Sequence, residues 1–221
     1  MRRPAPLGEN KEVTRVLAID CEMVGSGPLG MDSRLASVSV VNADGNQVYF
    51  SYAVGTRPVT DYRTKYSGIT PELLEGAPPI SQVQQEVASL LHGKLVVGHG
   101  LENDFKALGY FHPRILTRDT AHDLPRLLSR AGRPRKLRRI TWEFLGLTIQ
   151  DGEHDPLEDA RAALLLYLRY QSDFEALAEA RKKDHAQDTP SSPVVALPTE
   201  GLVGVPKVGD PSGLASGKKQ Q

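Results

Sequence analysis

The amino-acid sequence predicts an α/β domain with a central mixed sheet of five strands that is flanked by helices. Three strand-like segments come first in the chain, and helical and strand-like segments alternate after them. That order is typical of a mixed sheet with helices packed on it. Of the 221 residues, 39% are hydrophobic and 24% are charged, which provides apolar material for a core and excludes a chain that is disordered throughout.

The five predicted strands are defined by short apolar runs. Residues 14–20 form a near-continuous run, as expected of a central strand that is covered on both faces. Residues 35–41 and 47–53 flank an Asn-Ala-Asp-Gly turn, which predicts a hairpin because glycine accepts a positive φ at little cost. The fourth and fifth strands are predicted at residues 95–97 and 115–119.

Helices are predicted between and after the later strands. Apolar residues at helical spacing indicate a helix over residues 80–91. A second helical segment, residues 101–108, separates the fourth strand from the fifth. The last long helix starts near Pro156 and carries apolar residues from Ala160 to Leu168 on one face.

The chain divides into a folded domain and two flanking segments. Residues 189–217 contain five Pro, five Gly and four Ser, and no aromatic residue follows Phe174. Such a segment buries too little apolar surface to offset the entropy of ordering it. We therefore expect a folded domain over residues 12–183, a flexible N-terminus over 1–11 and a disordered tail over 184–221.

Composition excludes several classes of protein. The longest uninterrupted apolar run, residues 162–168, is far too short to cross a bilayer, and no apolar segment resembling a secretory signal follows the first four residues. A single cysteine excludes a disulfide framework and a cysteine-based zinc site. We expect a soluble, intracellular protein with no membrane partner.

Basic residues are concentrated in one segment although the formal net charge is zero. Residues 126–139 hold seven basic residues and no acid, which leaves 20 basic residues against all 27 acids elsewhere. A polyanion would be attracted to this segment and repelled by much of the remaining surface. The alternative interpretation is a solvated helix face or loop.

Asp20 and Glu22 lie where the first central strand ends. Because neighbouring residues of a strand point to opposite faces, these two carboxylates share one face and Cys21 takes the other. Adjacent carboxylates repel each other unless a cation lies between them, and oxygen-rich sites suit Mg²⁺ or Mn²⁺. A solvated strand end is the alternative for this pair.

The last predicted helix begins with a pattern that fixes two functional groups. Asp155 is a good N-cap, Pro156 suits the first helical position, and Glu158 falls at the capping-box position. Asp159 then lies in the first turn, where the helix dipole favours an anion. His154 precedes the helix and is free to face the same space as Asp159.

A third acidic position would complete such a cluster, and Asp104 is the candidate. It lies near the start of a helix that follows a buried strand. Glu102 is a rival that spacing alone does not exclude, and an acid at either position can also be an ordinary surface residue.

Residues 25–30 match the dinucleotide-binding pattern G-x-G-x-x-G, but the context argues against that function. The dinucleotide fingerprint must open a helix whose N-terminus holds the pyrophosphate. Here a proline lies between the glycines and a strand is predicted next. We interpret the segment as a hairpin loop.

The candidate residues follow one another along the chain in the order Asp20-x-Glu22, Asp104 and His154-x4-Asp159. This order matches the pattern of the DEDDh (DnaQ-like) 3′–5′ exonucleases. The sequence resembles that superfamily over about residues 16–170. Further segments resemble the subgroup that contains the nucleolar RNA exonucleases of ribosomal-RNA processing, the interferon-stimulated exonuclease and the apoptosis-enhancing nuclease. These segments are residues 20–25, 61–64, 67–70, 95–99, 149–155 and 159–161.

The resemblance implies a ribonuclease-H-like fold and a two-metal nuclease site. Two divalent ions, Mg²⁺ or Mn²⁺, would be held by Asp20, Glu22 and Asp159, with Asp104 completing the second site directly or through water. His154 would be the general base that takes the proton of the attacking water.

The resemblance also implies a substrate and a location. The expected reaction is hydrolysis of single-stranded RNA from its 3′ end to 5′ mononucleotides, with Met23 against the terminal base or sugar and Arg63 at the ribose or backbone. Single-stranded DNA as the substrate and an inactive nucleic-acid-binding scaffold are the alternatives. The relatives suggest the nucleus or nucleolus, and a cytoplasmic location is the alternative.

Overall fold

The computed structural model describes residues 2–187, with side chains described as far as residue 183. The predicted disordered tail, apart from the backbone of its first four residues, lies outside the described residues. Over the part that is described, no helix is both long enough and apolar enough to cross a bilayer.

Within residues 2–187, six strands form one mixed sheet. They are β1 (Val16–Ser26), β2 (Asp32–Asn42), β3 (Gln47–Tyr52), β4 (Val59–Asp61), β5 (Leu95–Gly98) and β6 (Thr117–Asp119). The main order is β3-β2-β1-β5-β6, in which β1, β2 and β3 are antiparallel neighbours and β5 and β6 run parallel to β1. The five predicted strands are therefore confirmed. The sixth, β4, is a three-residue strand that pairs with the end of β1 and carries no clear alternation in the sequence.

Seven α-helices accompany the sheet within the described residues. They are α1 (Thr64–Ser67), α2 (Pro71–Leu74), α3 (Ile80–Leu91), α4 (Leu101–Leu108), α5 (Leu137–Leu145), α6 (Pro156–Arg169) and α7 (Gln171–Gln187). Of these, α3, α4 and α6 match the sequence-based predictions. The predicted helix near Pro156 ends at Arg169, and α7 begins two residues later.

The alternation of β1 separates two layers of core. Leu17, Ile19 and Cys21 pack in the cluster that contains the buried residues of α3 and α4. Ala18 packs in the other cluster, with the buried residues of α5 and α6. Asp20 therefore follows Ala18 on the face of β1 that carries α5 and α6, as the period of two predicts.

The N-terminal segment contacts the domain at several points. The Arg3 guanidinium lies 2.8 Å from a carboxylate oxygen of Glu158, and the backbone N–H of Leu7 donates to the carbonyl of Asp44 at 2.7 Å. The backbone N–H of Thr148 donates to the carbonyl of Arg2 at 2.9 Å. Flexibility of residues 1–11 stays a prediction.

The glycine-rich segment 25–30 is the hairpin loop between β1 and β2, as the sequence analysis predicts. Gly27 and Gly30 have φ angles of 73° and 66°, in the left-handed region that glycine accepts readily. No long helix follows the glycines, since a single 3-10 turn (Pro28–Gly30) leads into β2. The dinucleotide-binding interpretation therefore lacks the helix it requires.

We predict that Gly25→Ala destabilises the domain by about 1–3 kcal/mol, the usual cost of overpacking a closely packed site. A Cβ at Gly25 would lie 2.5 Å from the carbonyl oxygen of Gly30 and 2.7 Å from its Cα, and neither backbone atom can move without opening the loop. Urea denaturation measures the change. Gly8→Ala is the control, because its Cβ would meet Asp44 at an ordinary 3.5 Å; equal stability of both variants would contradict the prediction.

Candidate active site

A cavity of about 670 Å³ brings together most of the residues that the sequence analysis selected. Residues of β1, α1, α5 and the start of α6 line it. Asp20, Glu22, His154 and Asp159 are four of the five predicted catalytic residues, and all four line this cavity. Met23, predicted to contact substrate, lines it as well.

Asp20 and Glu22 reach the cavity because both lie on the α6-facing side of β1. Glu22 is only 8% exposed. Ligand atoms of Glu22, His154 and Asp159 all lie within 4.8 Å of one another. Three donor groups at this separation are close enough to share one metal ion with a modest adjustment of side chains.

The start of α6 fixes Asp159 and its neighbours. The Asp155 carboxylate accepts the N–H of Leu157 at 2.9 Å, and Pro156 occupies the first helical position, as predicted. The predicted capping role of Glu158 is wrong. Its carboxylate instead accepts the backbone N–H of Gln150 at 3.0 Å and pairs with Arg3, because the chain before the helix folds back over the first turn.

His154 lies at the mouth of the cavity beside Asp159. Its backbone N–H donates to the carbonyl of Tyr66 at 2.7 Å, which ties it to α1. Its Nδ1 is 3.8 Å from an Asp159 carboxylate oxygen, and its side chain is 35% exposed. Partial burial lowers the pKa of His154, so the neutral imidazole, which can accept a proton, is favoured.

Asp104 approaches the cluster from the opposite layer of the domain. It is buried on α4, and its carboxylate accepts the backbone N–H of Cys21 at 2.9 Å. It does not line the cavity, yet its charge raises the pKa of both Asp20 and Glu22. The rival Glu102 is exposed and lines a different cavity, so the structure places Asp104 rather than Glu102 beside the acid pair.

The four carboxylates lie in surroundings that disfavour their charged forms. Burial, reinforced by the charges of Asp159 and Asp104, raises the pKa of Glu22 to about 8. Burial likewise raises the pKa of Asp104 and that of Asp159 to about 7. The pKa of Asp20 is raised well above its ordinary value by burial and then by the other three acids.

The cluster lacks a compensating cation within the described part of the chain. No Lys or Arg there lies within 4.0 Å of Asp20, Glu22, Asp104 or Asp159. One buried oxygen of Asp159, Oδ1, has no hydrogen-bond partner among these residues. Buried acids that repel one another and leave a lone pair unused fit a divalent metal ion as the missing partner.

Met23 joins the carboxylate cavity to a second one of about 600 Å³. A bulge in the β1–β2 pairing falls between Glu22 and Met23. Met23 still packs in the same cluster as Cys21, which also lines the carboxylate cavity, so residues from both faces of β1 reach that cavity.

Arg63 lines the second cavity rather than the first. Its guanidinium donates to the carbonyl of Gly30 and to the hydroxyl of Ser33, each at 2.9 Å. Arg63 and the carboxylates therefore line different cavities, and Met23 lines both of them.

Gln150 is a site residue whose role the sequence analysis missed. Its side-chain amide donates to Asp159 Oδ2 at 2.6 Å and its φ is 53°, an uncommon value for a residue other than glycine. The hydrogen bond holds the Asp159 carboxylate in place. Gln150 belongs to a segment that carried the family resemblance, but nothing in its spacing indicated which side chain it would contact.

The basic segment 126–139 combines both interpretations given to it. Arg126 lies 3.1 Å from Asp173, and Arg135 pairs with Glu143, so part of the segment is an ordinary charged surface. Lys136 and Arg138 instead line the carboxylate cavity. A polyanion that enters the cavity therefore meets cations on one wall and acids on the floor.

Comparisons with known proteins agree with this geometry. The family model described as Exonuclease (RNase_T) matches residues 17–167. RNA exonuclease 4 of Homo sapiens is 44% identical over 182 residues, which is 80% of this chain and 43% of the relative. RNA exonuclease 4 of Saccharomyces cerevisiae is 41% identical over 170 residues, which is 76% of this chain and 59% of the relative. The chain thus spans about half the length of these relatives.

Solved structures with the same fold include nuclease-containing modules of Pan2. The pseudoubiquitin hydrolase–RNA exonuclease module of Saccharomyces cerevisiae Pan2, in complex with A7 RNA, has a TM-score of 0.63 and 31% identity, covering 78% of this chain and 32% of that one. The catalytic unit of Neurospora crassa Pan2 has a TM-score of 0.63 and 26% identity, covering 86% and 30%. The expected ribonuclease-H-like fold is confirmed.

The family model spans the strand that carries Asp20 and Glu22, the helix that carries Asp104 and the helix that carries Asp159. Members of this family depend on divalent metal ions, and the acid cluster described above is a suitable place to hold them. The chain belongs to the RNase_T exonuclease family, as its resemblance to the DEDDh enzymes predicted.

Proposed function

We propose that this protein is a metal-dependent 3′–5′ exonuclease that hydrolyses single-stranded RNA to 5′ mononucleotides. The observation that carries the proposal is a cluster of four carboxylates, three of them buried, that has no Lys or Arg partner among the described residues and lies beside a half-buried histidine whose neutral form is favoured. RNA is favoured over DNA because the similar proteins are named RNA exonucleases and the similar Pan2 module was solved with RNA.

The carboxylates would hold two ions, Mg²⁺ or Mn²⁺. Asp20, Glu22 and Asp159 face the cavity and would bind them directly. Asp104 lies behind β1, where its charge and its hydrogen bond to Cys21 would support the second site, directly or through water. Bound ions of this kind activate a water and offset the negative charge that develops on phosphate oxygens during an in-line displacement.

The remaining groups would orient the substrate and accept the proton of the attacking water. His154 would accept a proton from the attacking water, since its neutral form is favoured and it stands at the mouth of the cavity. Met23 would pack on the 3′-terminal base or sugar, because it lies between the two cavities. Arg63 would reach the ribose or the backbone from the second cavity.

Digestion of strands labelled at the 5′ end tests the activity. RNA and DNA of equal sequence are incubated with Mg²⁺ or Mn²⁺, and a ladder that shortens from the 3′ end of RNA is the expected result. A ladder from DNA alone would favour the alternative substrate, and binding without cleavage would favour the inactive scaffold.

A nuclear or nucleolar location of the protein is also part of the proposal. Imaging of a fluorescent fusion in cells tests this location against the cytoplasm.

We predict that Asp20→Asn and Asp159→Asn each abolish cleavage while the fold is kept, because each removes one negative ligand and relieves repulsion among the acids. Calorimetric titration with Mn²⁺ should show weakened binding in both variants. Glu102→Gln is the matched control, since it neutralises an exposed acid on the same helix as Asp104 without touching the cavity. Undiminished metal binding in Asp20→Asn would contradict the proposal that Asp20 is a metal ligand.

We predict that the metal-free protein loses stability as the pH rises from about 5 to 8.5. The pKa values of Glu22, Asp104 and Asp159 are raised to between about 7 and 8 in the folded chain, so the folded state keeps protons that the unfolded state has already released. The folded state therefore gains the full stabilisation from these protons below the ordinary carboxyl pKa and loses it above the raised pKa values. The free energy of unfolding should fall by on the order of 1 kcal/mol or more across this interval.

Urea denaturation in EDTA at the two pH values measures this loss, and saturating Mg²⁺ should reverse it because the metal binds the deprotonated acids. Asp20→Asn should flatten the dependence. A metal-free stability that rises over the same interval would contradict the proposed environment of the cluster.

We predict that His154→Gln lowers kcat/KM by about two to four orders of magnitude, the usual share of general acid–base catalysis. In the wild-type enzyme, kcat/KM should rise with pH and then level off as His154 loses its proton. The inflection should lie below the ordinary histidine pKa of about 6.5, because burial lowers the pKa of His154. Metal affinity, measured by calorimetry, separates the roles: if it falls in parallel with the rate, His154 is a ligand alongside Glu22 and Asp159.

A further inference from the structure

A smaller cavity of about 350 Å³ adjoins the carboxylate cavity. Lys136, Arg138, Arg139, Trp142 and Thr148 line it. Two of these side chains, Lys136 and Arg138, also line the carboxylate cavity, so the two spaces share a wall. The smaller cavity therefore lies next to the site, on the side of α5.

The cavity presents an aromatic ring that is largely exposed to solvent. Trp142 is 68% exposed on α5. Other rings nearby are occupied: the guanidinium of Arg135 lies over Phe144, and that of Arg126 over Tyr170. Among the described residues, no ring pair and no cation–π contact includes Trp142.

The cations around this ring also lack partners. Within the part of the chain that the structure describes, no carboxylate lies within 4.0 Å of Lys136, Arg138 or Arg139. Arg138 and Arg139 precede Trp142 by four and three residues, which places all three on one face of α5. An exposed indole flanked by unpaired cations matches the two chemical features of a single strand, its stacking bases and its phosphates.

We propose that this cavity binds nucleotides that lie two or more positions 5′ of the scissile bond, beyond the reach of a dinucleotide, with one base stacked on Trp142 and the phosphates held by Lys136, Arg138 and Arg139. The inference rests on the proposed function, because an exonuclease that works at the 3′ end must let the rest of the strand leave the site. The strand leaves along α5, since that wall is basic whereas the floor of the site is acidic.

Fluorescence gives a direct test because Trp142 is the sole tryptophan of the chain. The Asp20→Asn variant, chosen because it is expected to bind a strand without cleaving it, is titrated with a ten-nucleotide oligouridylate and with a uridine dinucleotide. Indole emission should change saturably with the ten-nucleotide strand, with the midpoint found by anisotropy of a labelled strand. The dinucleotide should leave the emission unchanged.

Kinetics with the active enzyme give the second readout. Trp142→Ala should raise KM for the ten-nucleotide strand by about 5- to 100-fold, the range for loss of a stacked base, whereas KM for the dinucleotide should change by less than about twofold. Trp142→Phe should restore most of the loss. Phe111→Ala is the control, since Phe111 is 86% exposed but lines a different cavity.

The outcomes separate this inference from the proposed function. Anisotropy that reports binding while indole emission stays constant would overturn the inference alone, as would equal effects of Trp142→Ala on both lengths. If the unchanged enzyme neither binds nor shortens any strand, the proposed function fails and the inference fails with it. A salt dependence that flattens in Arg139→Gln would support the phosphate contacts.

Discussion

The repulsion among four carboxylates, three of them buried, is the constraint on which the site depends. Asp20, Glu22, Asp104 and Asp159 come from three separate elements, and the charges of Asp104 and Asp159 raise the cost of ionising both Asp20 and Glu22. A fold gains nothing from such an arrangement in the absence of a cation, because burial already disfavours a charged carboxyl group. The cluster therefore lowers the stability of the metal-free fold and provides a site for a cation. The surrounding hydrogen bonds keep the acids from moving apart.

A backbone hydrogen bond holds Asp104 and a side-chain hydrogen bond from Gln150 holds Asp159. The N–H of Cys21 holds Asp104, so the acid on α4 is fixed to the same strand that carries Asp20 and Glu22. Asp119, at the end of β6, accepts the N–H groups of Gly100 at 2.8 Å and Leu101 at 3.0 Å and thereby fixes the start of α4. Each acid is held by an element that packs in the core.

The fold and most of the cluster were predictable because they follow from local rules. The alternation of β1 and the capping pattern before α6 each act within a few residues, and they place Asp20 and Asp159 correctly. Glu158 was predicted wrongly because the returning chain at Gln150 takes its carboxylate, a contact that no local rule contains. The separate cavity of Arg63 likewise depends on a bulge and a loop whose geometry arises only when the sheet forms.

The basic segment shows why charge counts alone left its role open. Its composition is uniform, but folding divides it: Arg126 and Arg135 find acids, whereas Lys136 and Arg138 are left facing the carboxylate cavity. The zero net charge of the chain thus conceals an acidic floor beside a basic wall. A neutral ligand gains nothing from that division. A strand of phosphates gains from both surfaces once metal ions cover the acids, because the floor then attracts the phosphate that is cleaved and the wall attracts those that follow.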